Sequence, residues 1–363
     1  MEPCLKQASS DGHRVRVFLG HTCAKQYRAK ALNTDPRFEI MSHDLGECDE
    51  LGFFFAASNR DLVVVASSQS DEGTAASFTA LSMAHSTPRI GIEDMYGSII
   101  PTLRATKAAN VGAFNRVCVI DDVARAMIMK AYPETTDSIV VTGGPQFDKT
   151  LDMRSRLHSL RATLRSKVNV SEEQKVFLVV GDLVGTSEIL DLLTTAIRNV
   201  GLSDSAKIIL RAHPRAKESE KEVARHYLEE SEHSAMFVDP GRELAPTSDD
   251  LLPAADVVLS AMSTTSHNAI LLEIPGTVYV GTPACRALLQ QEKSMDKTPE
   301  VMAGAGWQVD TPNDMVNVIN AILGKGDAEA LLRLMAVQKK IASYNDGKAT
   351  QRVYTEMKKL MQA

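Results

Sequence analysis

The sequence lacks the features that mark several common classes of protein. Its five cysteines (4, 23, 48, 118 and 285) contain no C-x-x-C pair and no repeated spacing. That excludes a zinc ribbon or a disulfide scaffold and fits free thiols in a reducing cytoplasm. No apolar run approaches the ~20 residues that a membrane-spanning helix needs. The opening MEPCLKQASSDGHR has no apolar core of a secretory signal and reads as a short disordered lead-in. Positive charge is in deficit, with 40 Lys and Arg against 46 Asp and Glu, which argues against a general nucleic-acid binder. There is no short-period repeat and no low-complexity tract. There is no G-x-G-x-x-G, so a dinucleotide fingerprint is not supported. No D-x-D stands in a loop suited to a divalent ion. Neither a metal nor a cofactor is expected.

What is present is an alternation of buried strands and helices over 363 residues, long enough for two domains. Strands are predicted at 14–19 (RVRVFL), 38–41, 62–66 (LVVVA), 88–92, 117–120 and 138–141, with helices at 23–32, from 71 to 85 and from 121 to 131. A helical stretch over 149–168 leads to a second series: strands at 175–180 (KVFLVV), 207–210, 236–239, 257–259 and 277–280, each separated from the next by a helix or loop of ten or more residues. Such alternation means βαβ units and parallel sheets. The expected fold is α/β, two doubly wound Rossmann-like domains facing a cleft. The first would span 1–150 and the second 151–345, with 346–363 a terminal helix packing back on the first domain. Ligands of such sheets bind beyond the carboxyl ends of the strands, so the loops there hold the candidates.

The most complete unit runs from Asp249 to Gly281. Asp249 and Asp250 are placed to cap a short helix. The run Val257-Val258-Leu259 is a strand buried on both faces. A loop of small hydroxyl residues, Ser260 to Thr265, feeds a helix that Pro275-Gly276 stops. Free N–H groups at that helix start, its dipole and the hydroxyls of Ser263, Thr264 and Thr265 make an anion site; the same residues also serve simply as helix caps. Upstream, Gly185 and Thr186 lie in a glycine-bearing loop between a buried strand and a helix. Arg211-Ala212-His213-Pro214-Arg215 ends a strand, where Arg211 and Arg215 are suited to bidentate phosphate pairing and His213 to protonating a leaving group; a basic surface turn is the alternative. In the first half, Glu93 and Asp94 of GIEDMYGSII stand just past a strand, suited to general-base work if burial raises a pKa or else solvated loop carboxylates over a packed Tyr96. His21, after the first strand, is a second candidate base.

Strand, small-residue loop, helix, LEIPG and strand, together with R-x-H-P, resemble the nucleotide-diphosphate half of GT-B glycosyltransferases. They are most similar to the UDP-N-acetylglucosamine 2-epimerases and the CDP-glycerol glycerophosphotransferases. VVTGGPQFD, 140–148, resembles the TGNP-x-x-D segment that ends the first domain in both, and NDGKATQRV, 345–353, resembles the DGKA-x-x-R tail of the glycerophosphotransferases. The resemblance implies that Ser263 to Thr265 hold a diphosphate. The helix position that holds the ribose through a carboxylate falls on Asn268, beside His267, which leaves the nucleotide open. The implied function is a cytoplasmic transferase using a nucleotide-activated sugar or polyol phosphate. Arg211 and His213 would neutralise the leaving nucleotide, and Glu93 or His21 would activate an unnamed acceptor. A UDP-sugar 2-epimerase and a non-catalytic nucleotide-sugar-binding protein are the alternatives. The expected partners are the donor and acceptor and, as assembly, a homodimer, with no nucleic acid and no transmembrane segment.

Overall fold

The computed structural model describes residues 2–20, 38–43, 61–66, 80–81, 87–110, 114–182, 185–214, 216–239, 247–293 and 295–362. They form two compact units, one of Met1–Lys149 with Tyr344–Ala363, the other of Thr150–Ser343. Among the described residues no helix is long and apolar enough to cross a membrane.

The chain opens with helix α1, Glu2–Ser10. This corrects the expected disordered lead-in. Cys4, Leu5 and Ala8 form one apolar stripe, too short to stand out in the sequence but sufficient once another helix covers it. Strands β1 (Val15–Gly20) and β2 (Phe38–His43) pair in parallel. Strands β3 (Val63–Ala66), β4 (Arg89–Ile92), β5 (Arg116–Val119) and β6 (Ile139–Val141) form a four-stranded parallel sheet in that order. Between them run α2 (Ile100–Ala108) and α3 (Asp122–Ala131). The helices foreseen at 23–32 and over most of 71–85 lie outside the described residues.

The stretch 149–168 is two helices rather than one, α4 (Asp148–Ser155) and α5 (Leu157–Lys167), broken at Arg156. The second unit follows: β7 (Lys175–Val180), α6 (Thr186–Asn199), β8 (Ala206–Arg211), α7 (Glu218–Glu229), β9 (Ser234–Val238), β10 (Val257–Ser260), α8 (Thr264–Leu271), β11 (Gly276–Val280), α9 (Pro283–Lys293), α10 (Pro299–Met302), β12 (Trp307–Val309), α11 (Pro312–Ile322) and α12 (Ala328–Ser343). All its strands are parallel, in the order β12-β11-β10-β7-β8-β9. Both faces are covered, which explains the unbroken apolar runs. In β7, Phe177 and Val179 enter the core on one face, and Val176, Leu178 and Val180 the core on the other.

Helix α5 is clamped to the amino end of β10 by charge. Asp256 accepts from Arg161 (2.6 Å), Arg165 (3.2 Å) and the Val176 N–H (2.8 Å). Arg165 is 5% exposed and also donates to the carbonyls of Ala254, Ser171 and Gln174, so the buried charge is fully surrounded by acceptors.

The last helix, α13 (Ala349–Met361), belongs to the first unit and buries Val353, Tyr354 and Met357 with Cys4, Leu5, Ala8, Ile90 and Ile92. Two sequence motifs meet at its start. Asp148 accepts the N–H groups of Ala349 (3.0 Å) and Thr350 (2.8 Å), and Arg352 donates to the Thr142 carbonyl (2.7 Å). Gly143 has φ +80°, and a Cβ there would lie 2.7 Å from the Tyr344 carbonyl oxygen and 2.9 Å from the Ala349 Cβ. Only glycine fits.

Candidate functional site

Within the second unit the strand order reverses once. From β7 the chain moves outward through β8 to β9, then returns to β10 on the other side of β7 and moves outward through β11 to β12. The carboxyl ends of β7 and β10 therefore flank the reversal, which is where open α/β sheets bind their ligands. The two loops there are those carrying Gly185 and Thr186, and Ser263 to Thr265.

After β10, Ser263 caps α8, its Oγ accepting the Thr265 N–H (3.2 Å). The Ser260 and Ser266 hydroxyls pair at 2.7 Å, and Ser260 also accepts the Ser263 N–H (3.1 Å). Ser260, Ser263 and Ser266 thus shape the loop, while Thr264, the first helical residue, is exposed and Thr265 is buried. Asn268 is buried with both ends of its amide engaged: it donates to Asp249 (2.9 Å) and accepts from Thr150 (3.2 Å). Asp249 is therefore a partner of α8 rather than a cap for its own turn. Thr247 and Asp250 form the capping box of the 3-10 segment Ser248–Ala254, a correction to the sequence reading. On the buried side of α8, His267 is fully buried, with Nδ1 3.3 Å from Glu300.

After β7, Gly185 takes a left-handed φ of +82°, and a Cβ there would meet the Cys285 Sγ at 3.1 Å. It leads into α6 at Thr186. One turn on, Glu188 accepts the Ala284 N–H (3.1 Å) and ties in the start of α9. Arg211 ends β8 only 2% exposed, donating to the Ala212 carbonyl (2.9 Å). Burial lowers its pKa, while the carboxylates of Asp239 and Asp250 oppose the shift. His213 is half-buried on the following turn, and Arg215 lies outside the described residues. Asp182, not singled out in the sequence, lies between these loops. It is 8% exposed and accepts the N–H of Ala261 at 2.8 Å. The signal for it is a lone carboxylate two residues after the apolar run Val176–Val180.

The first unit gathers acids at its strand ends. Glu93, one residue past β4, is 1% exposed and accepts the Gly97 N–H (2.8 Å). Burial, then the charges of Asp121 and Asp94, push its pKa up to about 8 against the pull of the Gly97 and Ile120 N–H groups. At pH 7 it holds its proton, ready to give it, and it becomes a base above that range. Asp121 is fully buried; it caps α3 by accepting the Ala124 N–H (3.0 Å) and also accepts the Tyr96 hydroxyl (2.5 Å). Gln146, from the TGGPQFD segment, donates to the Asp94 carbonyl. The structure thus brings Glu93 together with Asp121, Tyr96 and Gln146. From the sequence Asp121 is a helix cap alone, and nothing marks Gln146. His21 lies outside the described residues.

A family described as CDP-glycerol:poly(glycerophosphate) glycerophosphotransferase matches residues 74–359, across both units. The chain belongs to that family. It is accordingly a glycosyltransferase-like transferase of GT-B fold. No curated protein matches this glycerophosphotransferase-family chain by sequence. Solved structures similar to it include the S. aureus MnaA–UDP complex, at 14% identity and a TM-score of 0.62 over 95% of this chain and 96% of that one. The UDP-GlcNAc 2-epimerase of Neisseria meningitidis bound to UDP-GlcNAc is similar at 15% identity and 0.62, over 99% and 96%. A variant of the wall teichoic acid polymerase TagF soaked with CDPG is similar at 12% identity and 0.57, over 99% and 85%. At such identities the likeness establishes the fold.

Proposed function

We propose that this member of the family transfers a polyol phosphate or a sugar from a nucleotide-diphosphate donor held on the second unit. The observation that carries the reading is the family match over both units, 74–359. It is supported by the loops at the strand reversal, where hydroxyls and the start of α8 face the place a diphosphate takes in this class of sheet. Ser263 shapes that loop, Thr264, Thr265 and Thr186 offer hydroxyls, and Gly185 permits close approach. Arg211 and His213, at the neighbouring strand end, offset charge growing on the leaving nucleotide. Asn268, bonded to Asp249, brings a carboxylate to the helix side of the site. Glu93 handles the proton of the acceptor hydroxyl, with His21 as the alternative. CDP-glycerol is the first donor to test, because the family's description names it.

Thermal shift tests this. A ligand that binds only the folded chain stabilises it by ~2.7 kcal/mol at ~100 times its dissociation constant. A shift with CDP and CDP-glycerol, followed by CMP release on adding a polyol acceptor, is the expected result. The absence of any shift with CDP, UDP, GDP, ADP or their conjugates sinks the donor site. A second reading, epimerisation of a UDP-sugar, is favoured by the paired acids Glu93 and Asp121, since moving a proton on and off carbon needs more than one such group. A changed sugar recovered without transfer would select it.

A further inference from the structure

Asp182 is a buried acid that reaches from the loop after β7 to the loop after β10, and the proposed function gives it no task. Its carboxylate joins the two flanking loops, taking the N–H of Ala261, the first residue beyond β10, at 2.8 Å. That backbone donor, between a buried strand and the start of α8, is one an anion seeks; here a side-chain anion has taken it. Among the described residues, burial and the Ala261 N–H are what act on the Asp182 charge. From α9 comes the Cys285 thiol, pushed up to about 11 by burial and further by Asp182 and Glu188, against a bond from Thr282, so it stays neutral. From α6 comes Glu188, already accepting the Ala284 N–H. From the end of β8 come Arg211, turned to the Ala212 carbonyl and toward Asp239 and Asp250, and half-buried His213. Burial, opposed by the Ala261 N–H, lifts the Asp182 pKa to about 6.

A diphosphate on the same loop would set further negative charge beside this carboxylate, where little water screens it. Like charges in one dry site drive the weaker acid to its neutral form. We propose that Asp182 is a positioning residue of the donor site that takes up one proton from solvent when the nucleotide diphosphate binds beside it. This rests on the donor-site reading. Protonated, it has an O–H to donate to a phosphate oxygen; ionised, it repels the donor.

Calorimetric titration with CDP-glycerol in two buffers of different ionisation heat counts the protons taken up. The diphosphate of CDP-glycerol is a diester and does not titrate near neutrality. For the natural chain the expected uptake at about pH 8 is close to one proton, and affinity falls roughly tenfold per pH unit above about pH 6. Asp182→Asn keeps an oxygen for the Ala261 N–H but cannot ionise. Its expected uptake is near zero, its affinity flat with pH, and its melting temperature at about pH 8 no lower than that of the natural chain. Equal uptake in both proteins, or none in either, overturns the proposal. So does a loss of affinity in Asp182→Asn that occurs with magnesium and vanishes with a chelator, which would make Asp182 a cation ligand. No binding heat at any pH in either protein is a different failure, that of the donor site itself, and the proposal falls with it.

Discussion

The two units are built alike, from parallel strands and covering helices, yet they cap their helices with opposite chemistry. In the first, α3 starts from Asp121, a buried carboxylate that already supplies negative charge to the helix amino end. In the second, α8 starts from Ser263, a neutral hydroxyl. A helix start satisfied by its own carboxylate has little attraction left for an anion. One capped by serine keeps its dipole available to a ligand. The same contrast extends to the surroundings. Glu93 and Asp121 are wholly buried acids, whereas the β10 loop is made of Ser260, Ser263, Thr264 and Thr265. On the proposed reading, proton chemistry falls to the first unit and anion holding to the second, with Asp182 the exception.

Breaking the acidic side should have the largest effect. Glu93→Gln is expected to lower kcat by roughly two to four orders of magnitude with donor KM little changed; a turnover assay with CDP-glycerol checks it, and an unchanged kcat would remove Glu93 from the chemistry. Next comes making the second unit resemble the first. Ser263→Asp keeps a good cap but adds a charge, which at ~4 Å and an effective dielectric of ~20 is worth ~4 kcal/mol against an anion. Donor affinity should drop at least ~100-fold by calorimetry while the melting temperature holds. The reverse exchange, Asp121→Ser, retains a cap but loses the Tyr96 anchor and should cost ~1–2 kcal/mol in urea unfolding. The last test is melting against pH. Glu93 is raised in the folded chain from 4.5 to about 8, so the stability it contributes is complete below ~4.5 and is lost as pH rises through about 8. Glu93→Gln should melt above the natural chain at about pH 9, and the difference should shrink toward zero at about pH 5. A constant difference across pH would mean Glu93 is not the titrating group.

Much of this was legible in the residues. VFLVV of β7 is an unbroken apolar run because both faces of that strand are covered, and Asp121 caps a helix as the sequence predicts. Strand order was not legible. The reversal between β7 and β10 depends on pairing partners far apart in the chain, and without it Asp182 is one loop carboxylate among many. Asn268 looked like a missing acid because its partner Asp249 sits nineteen positions earlier in sequence and 2.9 Å away in space. The helix Glu2–Ser10 was missed because three small apolar residues signal little until α13 lies over them.

That last contact bears on how the chain is made. Residues 150–343 are an insertion within the first unit, whose core needs Val353, Tyr354 and Met357 from the far end. During synthesis the second unit has every strand in hand once residue 343 has emerged. The first unit, although begun earlier, must wait for residues 344–363, with Cys4, Leu5 and Ala8 uncovered meanwhile. The part made first is completed last, and its exposed apolar stripe is the place where a chaperone or an aggregate would act on the nascent chain.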